Sequence, residues 1–171
     1  MNNYIFFYGH KSNDKYNIFS QWYPAIFIDS IIGITYKNTE QYMMAHKALL
    51  FNDIDTYTKI ITTSDPFTIK KLGRQVKNFD EKEWNKYKFD IVMEGNKLKF
   101  TQNKKLGKEL INTGSKIIVE ASKYDRIWGI GLDKKEAINI DPKKWPGKNL
   151  LGQIIMKVRN ELKRENTLIL H

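Results

Sequence analysis

Two side chains in NTEQYMMAHKALLF, residues 38–51, are of types that break bonds to sugars: Glu40 and Lys47. Seven positions apart on a helix, they fall two turns along one face, about 10.5 Å apart along the axis. That gap accommodates a sugar between an acid and an amine. A carboxylate there moves protons, and an amine attacks an electrophilic carbon. A plainer reading stands beside this one. A Glu in a first turn favours the helix dipole, and a surface Lys needs no special task.

EASKYDRIWGIGL, residues 120–132, is the second unusual segment. Asp125 lies three residues before Trp128, and Gly129 and Gly131 permit close approach of backbone to a ligand beside an indole wall. The alternative is a Trp that anchors a long loop, with glycines serving turns. The third segment is WPGKNLLG, residues 145–152. It leads into the last helix, where N–H groups of the first turn are placed to meet a phosphate. The alternative is a Pro-Gly turn with Asn149 as N-cap. G-I-G at 129–131 is too short for a dinucleotide fingerprint. His46 reads as a packed or solvated residue, and HKSND at 10–14 has no metal-ligand spacing.

These residues need elements to hold them. YIFFY (4–8) and stretches of 16–36 are β-prone, with Pro24 and Gly33 as breaks, and predict an antiparallel pair or meander. Asn38 or Thr39 caps a helix carrying Tyr42, Ala45, Leu49 and Leu50 at helical spacing, ended by Asn52-Asp53. Residues 54–63 form a short helix or turn. Ser64 or Asp65 caps a helix with Pro66 in its first turn and Gly73 near its end. Asp80 caps the longest periodic run, 80–102, through Trp84, Tyr87, Ile91, Val92 and Leu98. A short helix follows at 104–112, then a strand at 116–120. Residues 121–146 read as a long irregular stretch, a kind of connection that is commonly functional. A final helix at 148–164 carries Leu150, Leu151, Ile154, Ile155, Val158 and Leu162 on one face. The predicted class is α+β: one helix-rich domain over 1–171 with a small antiparallel sheet.

Composition narrows the chemistry. The chain of 171 residues has no cysteine, which removes disulfide scaffolds, Cys-ligated zinc, iron–sulfur clusters and thiol nucleophiles. Three histidines, His10, His46 and His171, leave little for a His-rich metal site. The net charge of +10 favours a polyanionic partner such as nucleic acid or a pyrophosphate. Yet only Arg74, Arg126, Arg159 and Arg164 are arginines, and the lysines are spread along the chain as on an ordinary solvated surface. No run approaches the ~18 apolar residues of a membrane span, and the start MNNYIFFYGHKSND lacks the pattern of a signal peptide. The expectation is a soluble, cytoplasmic protein.

Taken in order, the segments resemble the NADAR (YbiA-like) family from about Ile5 to Leu162. The matching residues begin with Phe7-Tyr8, Phe19-Ser20, and Thr39-Glu40 with Tyr42, Ala45 and Lys47. Pro66, Gly73-Arg74, Trp84, Met93, Lys99-Phe100 and Leu110-x-x-Thr113-Gly114 follow. Glu120-Ala121-Ser122, Asp125-x-x-Trp128-Gly129-x-Gly131, Gly147-x-Asn149-x-Leu151-Gly152 and Met156-x-x-Arg159 complete the series. Two positions depart from the family pattern: Gln21 replaces an Asn, and Gln41 replaces a His.

The resemblance implies an N-glycosidase acting on a ribose C1–nitrogen bond. It implies removal of ADP-ribose from guanine in nucleic acid, or cleavage of ribosylaminopyrimidine intermediates of riboflavin synthesis. A binding module for ADP-ribose without turnover is the non-catalytic alternative, and a salt-sensitive nucleic-acid binder is another. Glu40, Lys47 and Asp125 are the expected catalytic groups. Phe7, Tyr8, Phe19, Ser20, Arg74, Trp128, Gly129, Gly131 and Asn149 are the expected substrate contacts, with Arg74 suited to a pyrophosphate. No cofactor, metal or obligatory protein partner is implied. Two routes fit: Glu40 and Asp125 as an acid–base pair around an oxocarbenium-like state, or Lys47 as an imine-forming nucleophile with Glu40 moving protons.

Overall fold

The computed structural model describes residues 3–11 and 13–169. Ser12, within the polar HKSND stretch, and His171 lie outside the described residues. In chain order the elements are β1 (Tyr4–Phe7), β2 (Phe27–Asp29), β3 (Ile34–Tyr36), α1 (Thr39–Leu50), α2 (Ile54–Ile61), α3 (Pro66–Arg74) and α4 (Glu81–Gln102). Then come α5 (Lys104–Ile111), β4 (Ile117–Glu120), α6 (Lys134–Ala137) and α7 (Leu150–Ile169). This is a helix-rich α+β chain with small sheets. Its contacts divide it into two compact units, one of residues 24–103 and the other of residues 1–23 with 104–171. No helix among the described residues is long and apolar enough to cross a membrane.

Within residues 24–103, β2 and β3 make the expected antiparallel pair, with Phe27 opposite Tyr36 and Asp29 opposite Ile34. Four helices follow; the sequence named Asp80 as a cap and Asn38 and Asp65 each as one of two candidates, but read Asp53 only as the end of α1. Asn38 accepts from the Gln41 N–H, Asp65 from Thr68 and Asp80 from Glu83. Asp53 caps α2 through the Thr56 N–H. Each is a short acceptor satisfying an orphan donor of the first turn.

α4 departs from expectation in its face. The apolar period correctly marks a helix, but Tyr87 is 44% exposed, while Lys88, Asn96 and Lys99 are buried beside Val92, Gly95 and Phe100. A Cβ on Gly95 would stand 2.6 Å from the Tyr42 ring, so α1 approaches α4 closely there. Lys99 is wholly buried, and burial pushes its amine down to about 7. Below that pH, both the folded and the unfolded chain hold the proton, and the folded state bears the desolvation. Between about 7 and the ordinary lysine value the unfolded chain binds more protons, so stability rises with pH. Wild-type protein should gain up to about 1.4 kcal/mol per pH unit from pH 7 to 9 relative to Lys99→Met. Urea unfolding at the two pH values checks this, and equal gains in both proteins would refute it.

Gln41 is fully buried and works as a four-way tie. Its Oε1 accepts from the Lys37 N–H at 2.8 Å, and its Nε2 donates to the carbonyls of Ile60 (3.1 Å), Ile61 (3.4 Å) and Thr63 (2.6 Å). It joins the end of β3 to the end of α2. Gln41 thus serves the fold of this unit. Gln41→Leu keeps the volume but strands those backbone groups, and should lower stability by about 2 kcal/mol. An unchanged urea midpoint would contradict that.

The other unit, residues 1–23 with 104–171, corrects part of the sequence reading. β1 does not extend a meander. It pairs with β4, in parallel, Tyr4 opposite Ile117 and Phe7 opposite Glu120. Residues Lys15–Phe19 are a 3-10 turn rather than a strand, begun by Asp14, whose carboxylate accepts from the Tyr16 N–H. α7 carries the expected face, with Leu151, Ile154, Ile155 and Val158 fully buried. It is tied down by Arg159, whose Nη1 donates to Thr113 Oγ1 (2.8 Å) and the Lys116 carbonyl (2.7 Å). The stretch 121–146 has one helical turn, α6, closed by a reciprocal Asp133–Glu136 capping box, and a 3-10 turn at Pro142–Lys144.

Candidate active site

α1 places Glu40 in its first turn and Lys47 in its last. Glu40 is 6% exposed and Lys47 is half-buried. The two sense each other. Desolvation lowers the Lys47 pKa below the ordinary lysine value, and the Glu40 charge partly offsets it. Both side chains stand on α1, and the Glu40 carboxylate is near enough for its charge to favour the Lys47 ammonium.

The surroundings of Lys47 were not visible in the sequence. Its ammonium donates to the Gly73 carbonyl at 2.7 Å. It lies 4.2 Å from the centroid of the Phe79 ring and 5.8 Å from that of Trp84. Gly73 makes this approach feasible, because a Cβ there would run into the Met44 side chain of α1. Arg74, the next residue, ends α3 with its side chain exposed. Phe79 sits between α3 and α4, after Asn78, whose φ is +56°. The Lys77 N–H donates to Asp53 Oδ2 at 2.8 Å, and this bond holds the Asp53 carboxyl below its ordinary pKa. So the same carboxylate that caps α2 fixes the turn that presents Phe79. A helical period and the family resemblance marked Trp84, and nothing local marked Phe79.

His46, one residue before Lys47, belongs to a different environment. Its ring stacks on Tyr42 at 4.0 Å, its Nε2 lies 3.6 Å from Asp29 Oδ2, and burial lowers its pKa. Among the described residues, no group of three His, Asp or Glu side chains is placed to hold a metal ion.

The remaining candidates lie in the other unit. Asp125 Oδ1 accepts from the N–H groups of Ile127 and Trp128, both at 2.8 Å, and so shapes the turn that carries the half-buried indole. Gly129 and Gly131 do allow close approach, but to the chain itself. A Cβ on Gly129 would stand 3.0 Å from the carbonyl oxygens of Asp125 and Glu120.

The start of α7 is a correction. The N–H groups of Leu150 and Leu151 donate to the carbonyls of Ile127 and Trp128, both at 3.2 Å. They are engaged by the loop, so they do not form the phosphate site that the sequence invited. Asn149 is not a side-chain N-cap either. Its amide bridges β4, accepting from the Glu120 N–H (3.0 Å) and donating to the Ile118 carbonyl (2.9 Å). A substrate contact from that amide has to compete with both bonds.

Phe7 and Phe19 are 2% and 0% exposed and pack edge to face, centroids 5.8 Å apart. Neither ring offers a free face, so Phe7 and Phe19, expected as substrate contacts, serve core packing. Tyr8 is 56% exposed and keeps its ring accessible. The Ser20 hydroxyl accepts from the Trp22 N–H at 3.2 Å, and Gln21 beside it is buried. The structure thus groups Glu40, Lys47 and Arg74 in one unit. It groups Asp125, Trp128, Gly129, Gly131 and Asn149 in one laced loop of the other.

A family model described as the NADAR domain matches residues 6–163. The chain belongs to the NADAR domain family. It is 54% identical over 162 residues to "N-glycosidase R617" of Acanthamoeba polyphaga mimivirus, covering 92% of this chain and 95% of that protein. It is 27% identical over 158 residues to a riboflavin biosynthesis protein of Vibrio vulnificus, covering 92% of this chain but 38% of that longer protein. The solution structure of the Escherichia coli protein YbiA superposes with a TM-score of 0.78 at 27% identity, covering 96% of this chain and 88% of the other. As a NADAR protein the chain is an enzyme of the hydrolase class, and N-glycosidase is the activity its relatives' names carry.

Proposed function

We propose that this NADAR protein hydrolyses the bond between ribose C1 and a nucleobase nitrogen, with ADP-ribosylated guanine in nucleic acid as its substrate. Residues 1–171 are read as one NADAR domain because a single family model spans residues 6–163. The observation that carries this reading is the Glu40–Lys47 pair: a buried carboxylate and a half-buried amine, electrostatically coupled on one helix face.

The chemistry follows from what each group supplies. The nitrogen on C1 releases its lone pair and the ring C1–O bond breaks, the ring oxygen taking a proton. The neutral Lys47 amine then attacks C1. A proton passes from the Lys47 nitrogen to the base nitrogen, with Glu40 as carrier, and the base leaves with that proton. Water adds to the resulting Lys47 imine, releasing the sugar aldehyde and restoring the amine. Arg74, exposed next to the Lys47-binding carbonyl of Gly73, supplies a guanidinium for the pyrophosphate. Asp125 shapes its own loop, its Oδ1 accepting from the N–H groups of Ile127 and Trp128. Trp128 and Tyr8 offer ring faces.

The net charge of +10 supports a nucleic-acid substrate. The match to a riboflavin biosynthesis protein favours a second reading, cleavage of a ribosylaminopyrimidine phosphate. Parallel incubation with ADP-ribosylated guanine oligonucleotide and with the ribosylaminopyrimidine phosphate separates the two. Sugar release from the oligonucleotide supports the first, and release from the pyrimidine alone supports the second. Binding without release from either leaves a non-catalytic ADP-ribose module.

A further inference from the structure

We propose that Phe79 and Trp84 form the stacking platform for the substrate's nucleobase, with Phe79 the residue that sets preference for it. The inference deepens the proposed function and rests on Lys47 being the amine that meets C1. A base bonded to the carbon that Lys47 attacks lies within a ring's breadth of the Lys47 nitrogen. Phe79 is the aromatic face nearest that nitrogen, at 4.2 Å, with Trp84 next at 5.8 Å.

The Phe79 ring is presented rather than hidden. It is 44% exposed, and it packs edge to face on the buried Phe51, centroids 5.4 Å apart. An exposed aromatic ring normally has freedom to turn. This one follows an Asn at φ +56°, in a turn fastened to the Asp53 carboxylate and closed by the Asp80 cap of α4. A left-handed Asn and a buried carboxylate are a large structural investment for a surface phenylalanine. The Lys47 ammonium lies over the ring as a cation–π partner. A base stacks on such a ring in a sequence-tolerant way, since every base has a π face. Phe7, expected as a substrate contact, has no exposed face to offer.

Calorimetric titration with free guanosine tests the platform without turnover, with ribose 5-phosphate as the control ligand. Phe79→Leu and Phe79→Met should each weaken guanosine about tenfold and leave ribose 5-phosphate unchanged, with Phe79→Tyr restoring the wild-type value. In turnover, most of the loss should appear in KM rather than kcat. Guanosine binding by both apolar variants at wild-type strength overturns the proposal, as does an equal loss for ribose 5-phosphate. If wild-type protein releases no sugar from either candidate substrate yet binds guanosine through Phe79, the hydrolase reading fails and the platform stands. If turnover is present and indifferent to Phe79, the platform fails and the hydrolase reading stands.

Discussion

Reduction with borohydride during turnover leaves a sugar adduct on Lys47, and Lys47→Met loses both the adduct and sugar release, by about 10³-fold or more. The expectation comes from the two opposing influences on this amine. Burial lowers its pKa, which raises the neutral, nucleophilic fraction near neutral pH. Glu40, the Gly73 carbonyl and the Phe79 ring all favour the ammonium, so the resting amine is held in place as a cation. The rate should therefore climb as pH rises towards a value below that of an ordinary lysine. Lys47→Arg is the informative control. It keeps a cation over Phe79 and a donor towards Gly73, but a guanidinium does not form the imine. If Lys47→Arg or Lys47→Met retains turnover and no adduct is trapped, the imine route is wrong and an acid–base route using Glu40 replaces it.

Gly152→Ala lowers stability by about 4 kcal/mol, a fall of roughly 8–16 °C in melting temperature. Gly152 lies in the first turn of α7, where Ala is normally the better helix former. Here the added methyl would overlap the Ile118 carbonyl of β4 and the Asn149 amide that bridges it. The obstacle is backbone and a doubly bonded side chain rather than the end of a flexible one, so it does not move aside cheaply. Because β4 pairs with β1, the disturbance reaches the central strands of this unit. A melting temperature equal to that of wild type would show that α7 does not pack on β4 as described.

Both effects turn on residues whose identity was readable early and whose surroundings were not. Glu40 and Lys47 were found from a seven-residue spacing, which a helix converts directly into a shared face. Asp80 was found as a cap, and Asp65 as one of two candidates, because a cap acts within three residues of itself. Gly152 was noted only as part of a motif, since the carbonyl it must avoid lies 34 positions away, on Ile118. Phe79 carried no signal at all, because its role depends on where α1 and the α3–α4 turn meet. Asn149 looked like a helix cap, but at φ +52° its amide turns to β4 instead.

By itself, the sequence determined five of the helices (α1, α3, α4, α5 and α7), the Asp80 cap of α4, the α+β class, the absence of thiol chemistry and the family. These follow from local rules: capping, the 3.6-residue period, composition and the order of short motifs. Only the tertiary structure decided that β1 runs parallel to β4, that α4 turns Lys88 and Lys99 inward, and that Lys47 rests between a carbonyl and two aromatic rings. Each of those depends on the approach of segments far apart in the chain, where burial of one surface against another outweighs what either segment prefers alone.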